Sequence, residues 1–266
     1  MVETLKELNA IVQKPHYKTR GNLMVRYILR DAALPLTWLL LHTSVTANQV
    51  TLVSMLIGLL GILFLSFQGA GYFLGGALLL QLWYYLDHVD GQIARYRKTS
   101  CLSGRFFDFL THHVIHAPIF FALGVYLWRS RGGTGWIFFG AMLSFLMMLF
   151  NMLHDIKAKA FIEKLSQGRS FKVVAAAETE TPAQSEEEGL SGRKIFSWLH
   201  KACEIHVLMN VLTVTALLEA FWLRQADFRF LLFVFYAAVV PMLSIIKLSY
   251  VISRRKIDEE FSASFQ

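Results

Sequence analysis

Six apolar runs, residues 50–67, 72–86, 106–127, 136–153, 206–223 and 230–252, limit what this chain of 266 residues can fold into. About 20 apolar residues in a helix cross the hydrocarbon core of a bilayer. Within lipid, a helix satisfies its own backbone hydrogen bonds, so runs of this length read as spans rather than strands. The composition agrees: 55% of residues are apolar and 17% charged, more apolar than a soluble domain of this size. The expected fold is an all-α integral membrane protein with six transmembrane helices. The run 32–41, behind Arg26 and Arg30, is too short to span and reads as an N-terminal interfacial amphipathic helix.

The net charge of +7 does not form one patch. Arg95, Arg97, Lys98 and Arg105 share one loop region, and residues 157–172, 193–201 and 254–256 supply the other basic segments. The alternate loops hold only Arg129 and Arg131, then Arg224 and Arg229. Basic residues concentrate on the cytoplasmic side of membrane proteins, which places both termini there and argues against nucleic acid as a partner. The excess charge serves topology and attraction to lipid headgroups. The first thirty residues carry charge and no cleavable apolar core, so no signal peptide is expected. Cys101 and Cys203 both fall near cytoplasmic ends, where a disulfide framework is not expected.

The expected organisation is residues 1–45 as cytoplasmic N-terminus and interfacial helix and 46–162 as spans one to four with the polar motif. Residues 163–197 follow as a partly disordered cytoplasmic loop, and 198–266 as spans five and six with a tail. Residues 173–192, rich in Ala, Glu, Ser and Thr, cannot bury much apolar surface. The glycines at 69–71 and 132–135 mark external turns.

The chemistry sits at the cytoplasmic edge of spans two and three. Asp87, Asp90, Gly91 and Ala94 recur at helical spacing and share one face, with Arg95 beside them. Gly104, Asp108 and His112 recur every four residues on the next helix, again on one face. If the faces meet, three carboxylates and an imidazole converge. Such groups near a membrane line an internal polar cavity and need partners. Oxygen ligands suit Mg²⁺ or Mn²⁺, and two such ions held between helices form a clamp for phosphoryl transfer. The small residues Gly91, Ala94 and Gly104 leave room for a bulky ligand. A purely structural role, as acids paired with Arg95, Arg97 and Arg105 at a helix end, is the alternative for any one of them.

Asp87, Asp90, Gly91, Ala94, Arg95, Gly104 and Asp108 resemble the signature of the CDP-alcohol phosphotransferase family, D-x2-D-G-x2-A-R-x8-G-x3-D-x3-D, with His112 in place of the last aspartate. The stretch TANQVTLVSMLIG also resembles the family's first span, with Ala47 where a proline is usual and Asn48 and Thr51 matching. The resemblance implies an enzyme that breaks the diphosphate of a CDP-linked substrate, transfers a phosphatidyl or phospho-alcohol group to a hydroxyl and releases CMP. It further implies two Mg²⁺ or Mn²⁺ ions, with Asp87 and Asp108 as bridging ligands and Asp90 as a ligand of one. It places Gly91 and Arg95 at the CDP portion, Asn48 and Thr51 near the nucleotide, and Ala94 and Gly104 beside it.

In this family the position of His112 belongs to a metal ligand and general base. Three readings stand for a histidine there: a base, whose ordinary pKa of about 6.5 suits neutral pH; a metal ligand that favours Mn²⁺ or another borderline ion; or the mark of a chain that binds lipid or nucleotide without turnover. His113 lies about 100° round the helix and His116 one turn deeper.

The resemblance favours CDP-diacylglycerol as donor and a small polar or phosphorylated alcohol as acceptor, in a prokaryotic cytoplasmic membrane. Transfer from a soluble CDP-alcohol to a lipid hydroxyl is the runner-up, and a silent binder the rival. Homodimerisation is compatible with the sequence. A carboxylate-lined transporter is disfavoured, because the acids sit at one end of the bundle rather than its midplane. Arg105, Lys157 and Lys247 would suit a phosphorylated acceptor; Asn151, His154 and Asn210 would suit an unphosphorylated one.

Overall fold

A computed structural model describes residues 3–13, 24–166 and 192–253, with 257, 261 and 262. The side chains of Arg26, His154, Lys157, Tyr250 and residues 193–195 lie outside the described set, as do the basic residues 254–256 and nearly all of the loop 173–192. Every regular element among the described residues is helical. The helices are α1 (Leu5–Val12), α2 (Arg30–Leu41, entered through a π-helical turn Val25–Leu29), α3 (Ala47–Leu65), α4 (Ala70–Tyr96) and α5 (Leu102–His116). Then come α6 (Pro118–Arg131), α7 (Gly135–Ser166), α8 (Gly192–Ala202), α9 (Ile205–Phe221) and α10 (Phe228–Ser253). Both edges of the segment expected as a loop, 163–197, are therefore helical.

Four helical stretches are long and apolar enough to cross a membrane: Ala47–Leu65, α5 with α6 as Leu102–Arg131, α7, and Phe228–Ser249. A fifth is reached if Phe196–Ala202 and Ile205–Phe221, bent by 76° to each other, count as one broken span. The remaining expected span, 72–86, lies in α4. That helix has the length, at 27 residues, but Gln81, Trp83, Tyr84, Tyr85 and Asp87 lower its apolarity. It packs against α3, α9, α2 and α1, so much of its surface meets protein. The outer faces of α3, α7 and α10 instead expose Leu56, Phe138, Phe145 and Ile245, as lipid-facing surfaces do.

Paired glycines let the helices approach closely. A Cβ on Gly76 would stand 2.8 Å from the Gly61 carbonyl oxygen, where α4 crosses α3. One on Gly124 would stand 2.6 Å from the Trp136 carbonyl oxygen and 2.8 Å from the Gly140 Cα, where α6 crosses α7. Small residues at such crossings are how membrane helices gain dispersion contacts without a hydrophobic drive. The turns at the far end need glycine for another reason: Gly69, Gly132 and Gly133 have φ of 101°, 72° and 82°. The same end is fastened by a buried pair. Arg229 donates to Glu219 Oε1 at 3.2 Å and to the Phe67 carbonyl at 2.7 Å, tying α10 to α9 and to the turn after α3.

At the motif end, α1 and α2 brace α4. The sequence T-L-K-E opens α1 with a capping box, in which Thr4 and Glu7 satisfy each other's backbone amides. Leu8 and Val12 are fully buried with Val89 and Ile93 of α4. Thr37 of α2 donates to the Gln92 side-chain oxygen at 2.7 Å, and Gln92 donates onward to the Arg30 carbonyl at 2.8 Å. The Tyr96 hydroxyl donates to Glu3 at 2.5 Å and holds that carboxyl below its ordinary pKa. The stretch 32–41 thus buries Ala33, Leu34, Thr37 and Leu41 against α1 and α4 while leaving Leu39 exposed.

Candidate functional site

The chain reverses between α4 and α5 in a short turn. Lys98 takes a positive φ of 55° just past the end of α4, as a helix-terminating residue does. The Gly104 amide then donates to Cys101 Sγ at 3.4 Å and caps α5. This reversal lets side chains of α4 and α5 meet. His112 Nε2 comes to 3.3 Å from Asp87 Oδ1 and 3.5 Å from Asp108 Oδ1. The ring of Trp83, itself fully buried, meets the His112 ring edge-on with centroids 5.2 Å apart. Gly58 of α3 makes room for that indole, since a Cβ there would lie 3.1 Å from Trp83 Cγ and 2.7 Å from Ile115 Cδ1.

One ligand atom from each of Asp87, Asp108 and His112 lies within 4.8 Å of the others. Two hard oxygens and an imidazole from two helices fit a single divalent cation of the Mg²⁺ or Mn²⁺ type. Asp90 does not join this group. It is nearly buried and turns toward α3, where the Thr51 hydroxyl donates to its Oδ2 at 2.6 Å. A second ion would draw on Asp90, whose Oδ2 Thr51 already engages.

A cavity of about 810 Å³ opens between the N-terminus of α3, the end of α4 and the start of α5. Asn48, Thr51, Gly91, Ala94, Arg95 and Gly104 all line it, with Asp90, Asp108 and Arg105. Arg97 lines it too, and its guanidinium donates to the Val45 and Thr43 carbonyls at 2.5 and 2.7 Å, pinning the loop before α3. The Arg95 side chain donates through Nε to the Val12 carbonyl of α1. Its Nη1 would lie 3.2 Å from a Cβ on Gly91, so the glycine clears space for that guanidinium as well as for a ligand. Three arginines therefore line the cavity, two of them, Arg95 and Arg97, fixed by backbone carbonyls.

A second cavity, of about 390 Å³, has His112 in its wall. Its walls come from α5, α7, the bend between α8 and α9, and α10: His112, His116, Asn151, His206 and Lys247 among others. His113 of α5 and Asp155 of α7 pair at 3.2 Å, and His206 pairs with the nearby Glu204 at 3.1 Å. Of the residues expected at an acceptor, Asn151 and Lys247 line this cavity, whereas Arg105 lines the first. Asn210 stands apart, with its side-chain oxygen accepting from Gln81 at 3.0 Å. His154 and Lys157 sit on α7 with side chains outside the described set. Sequence reasoning did not place His200, Cys203 or Ile205 here; their one signal was position near helix ends expected on the cytoplasmic side.

The family profile described as CDP-alcohol phosphatidyltransferase matches residues 44–177, about half of the chain. The match covers α3 to α7 and hence the first cavity and the Asp87–Asp108–His112 group. Comparison with curated proteins finds no match.

Proposed function

Since the chain belongs to the CDP-alcohol phosphatidyltransferase family, we propose that it transfers a phosphatidyl group from CDP-diacylglycerol to the hydroxyl of a small alcohol and releases CMP. One observation carries this reading. Asp108 lines the first cavity and His112 the second, and the two side chains lie 3.5 Å apart. A transferase with two substrates needs a donor site and an acceptor site that meet at the reacting groups, and this is such a meeting point.

The first cavity takes the CDP portion. Asn48 and Thr51 stand at the nucleotide, Arg95 and Arg105 neutralise phosphate charge, and Gly91, Ala94 and Gly104 keep the walls low. Asp87 and Asp108 would hold a divalent ion, with Asp90 beside them, and His112 at their side serves as the base rather than as a ligand. A bound Mg²⁺ or Mn²⁺ supplies charge neutralisation at the diphosphate and at the departing CMP oxygen. His112, held edge-on by Trp83, takes the acceptor's hydroxyl proton. The freed oxygen forms a bond to the phosphorus that carries the diacylglycerol, and the bond from that phosphorus to the CMP oxygen breaks. Positioning and charge stabilisation account for most of the rate in such transfers.

The membrane setting follows the same logic. α4 and α9 complete a six-span bundle around the four apolar stretches, with α4 shielded from lipid by its neighbours. The basic loops set both cavities on the cytoplasmic side. α2, with Leu39 outward, lies at the interface beside the donor cavity.

The test is CMP release from CDP-diacylglycerol by the purified protein in detergent, with Mg²⁺ or Mn²⁺ and a panel of alcohols. Turnover is expected with at least one acceptor, and His112→Ala is expected to lose it while CDP affinity stays. Silence with every acceptor and both metals, with CDP still bound, would refute the transfer and leave a binder.

A further inference from the structure

We propose that the second cavity holds an unphosphorylated polyol as the acceptor, and that His116 binds a hydroxyl of it other than the one that reacts. The assignment rests on the transfer reading above and adds the substrate class. His116 is 5% exposed, lines the cavity, and meets Asn151 Nδ2 through its Nδ1 at 3.0 Å. Its Nε2 is buried and has no hydrogen-bond partner. A buried polar atom left unpaired costs free energy that a ligand can recover. A hydroxyl suits it whichever ring nitrogen carries the proton, because a hydroxyl both donates and accepts.

His112 and His116 are one helical turn apart on the same face of α5, and both line the cavity. Residues four apart stand roughly 6 Å from each other at their Cβ atoms. One hydroxyl at His112 and another at His116 therefore belong to carbons of a single small polyol. An alcohol with one hydroxyl would leave Nε2 of His116 unpaired.

The charges of the cavity argue against a phosphorylated alcohol. Asp155 and Glu204 both line it, and among the described residues Lys247 is the only lysine or arginine that does. The Lys247 ammonium lies 4.8 Å from the centre of the Phe150 ring. A phosphate dianion placed there would face two carboxylates, whereas phosphate sites gather several guanidinium or ammonium groups. Arg95, Arg97 and Arg105 are all in the other cavity, where the diphosphate belongs. Asp155 and Glu204 are each engaged by a histidine, which disfavours a cationic amino alcohol as their partner.

The experiment uses the full chain in detergent with CDP-diacylglycerol and Mg²⁺ or Mn²⁺. Glycerol and inositol are compared with glycerol 3-phosphate and serine as acceptors, and the lipid product is identified. A lipid with an unphosphorylated polyol headgroup is expected. His116→Phe, close in shape but unable to bond a hydroxyl, should raise KM for the polyol roughly ten- to a hundredfold. Its kcat and its KM for CDP-diacylglycerol should stay within about twofold, and His116→Gln should recover part of the polyol KM. Preference for glycerol 3-phosphate or serine overturns the polyol assignment and leaves the transfer reading standing. An unchanged polyol KM in His116→Phe overturns the role of His116. Absence of CMP with all four acceptors, with CDP still bound, overturns the transfer reading and this assignment with it. The acceptor comparison on the unsubstituted chain decides the class even if His116→Phe does not fold.

Discussion

Replacing His112 by aspartate tests the geometry of the carboxylate group through stability alone. In the native chain His112 Nε2 stands 3.3 Å from Asp87 Oδ1 and 3.5 Å from Asp108 Oδ1. His112→Asp removes that nitrogen and puts a third carboxylate beside the other two. Two like unit charges about 4 Å apart repel by ~1 kcal/mol in water and by ~4 kcal/mol where the effective dielectric constant is near 20. The Asp108 side chain is 46% exposed, so its pair takes the lower value; Asp87 is 17% exposed and takes the higher. The metal-free protein should lose about 5 kcal/mol, a fall in unfolding midpoint on the order of 10 °C for a chain of this size. A divalent cation reverses the sign, because it binds the more negative site more tightly and favours the folded state by mass action. The assay is thermal unfolding in detergent, with EDTA or with excess Mg²⁺, for the native chain and His112→Asp. The variant should be the less stable in EDTA and should gain more from Mg²⁺. Equal midpoints in EDTA and an equal Mg²⁺ gain would refute the grouping of these three side chains.

Asp108→Asn keeps the shape of the site but removes a charged ligand, so CMP release should fall by at least a hundredfold and the Mg²⁺ gain in unfolding midpoint should shrink; native turnover would exclude Asp108 from the site. Gly124→Val drives a side chain into backbone of α7 that cannot yield, and should cost about 1–3 kcal/mol, read as a lower unfolding midpoint in detergent. The contacts of Glu3 and Glu7 with Tyr96 and Thr4 hold both carboxyl groups below their ordinary pKa of 4.5, so the stability they lend is present above pH 4.5 and is lost as the pH falls through their lowered values. Protection of the α1 amides from hydrogen exchange, taken relative to the intrinsic rate at each pH, should therefore fall on acidification below pH 4.5, and Tyr96→Phe should reproduce part of that loss at neutral pH.

The periodicity of 3.6 residues located Asp87, Asp90, Asp108 and His112 on two helix faces before any coordinates. It did not tell Asp87 from Asp90. Three residues of helix turn about 300°, so these two stand about 60° apart around the axis. The structure sends Asp87 toward His112 of α5 and Asp90 toward Thr51 of α3, the helix that packs against both α4 and α5. The capping box of α1 was also present in the letters, as T-L-K-E, within a stretch read only as a charged N-terminus. The polar character of α4 was legible as well, and it is what takes that helix out of the set apolar enough to stand alone in lipid.

What the chain's letters determined by themselves was everything local. Apolar runs set a helical membrane protein, and fixed gaps between acids and small residues set the family and the helix faces that carry the site. Tertiary structure alone decided which faces meet. The second cavity joins residues from His112 to Lys247, separated along the chain but adjacent once α5, α7, α9 and α10 pack. Packing also left the His116 Nε2 buried and unpaired, a property of the surroundings rather than of the residue. Helical periodicity fixes directions within one helix; the contacts between helices come from close packing over the whole bundle, which no local stretch of sequence encodes.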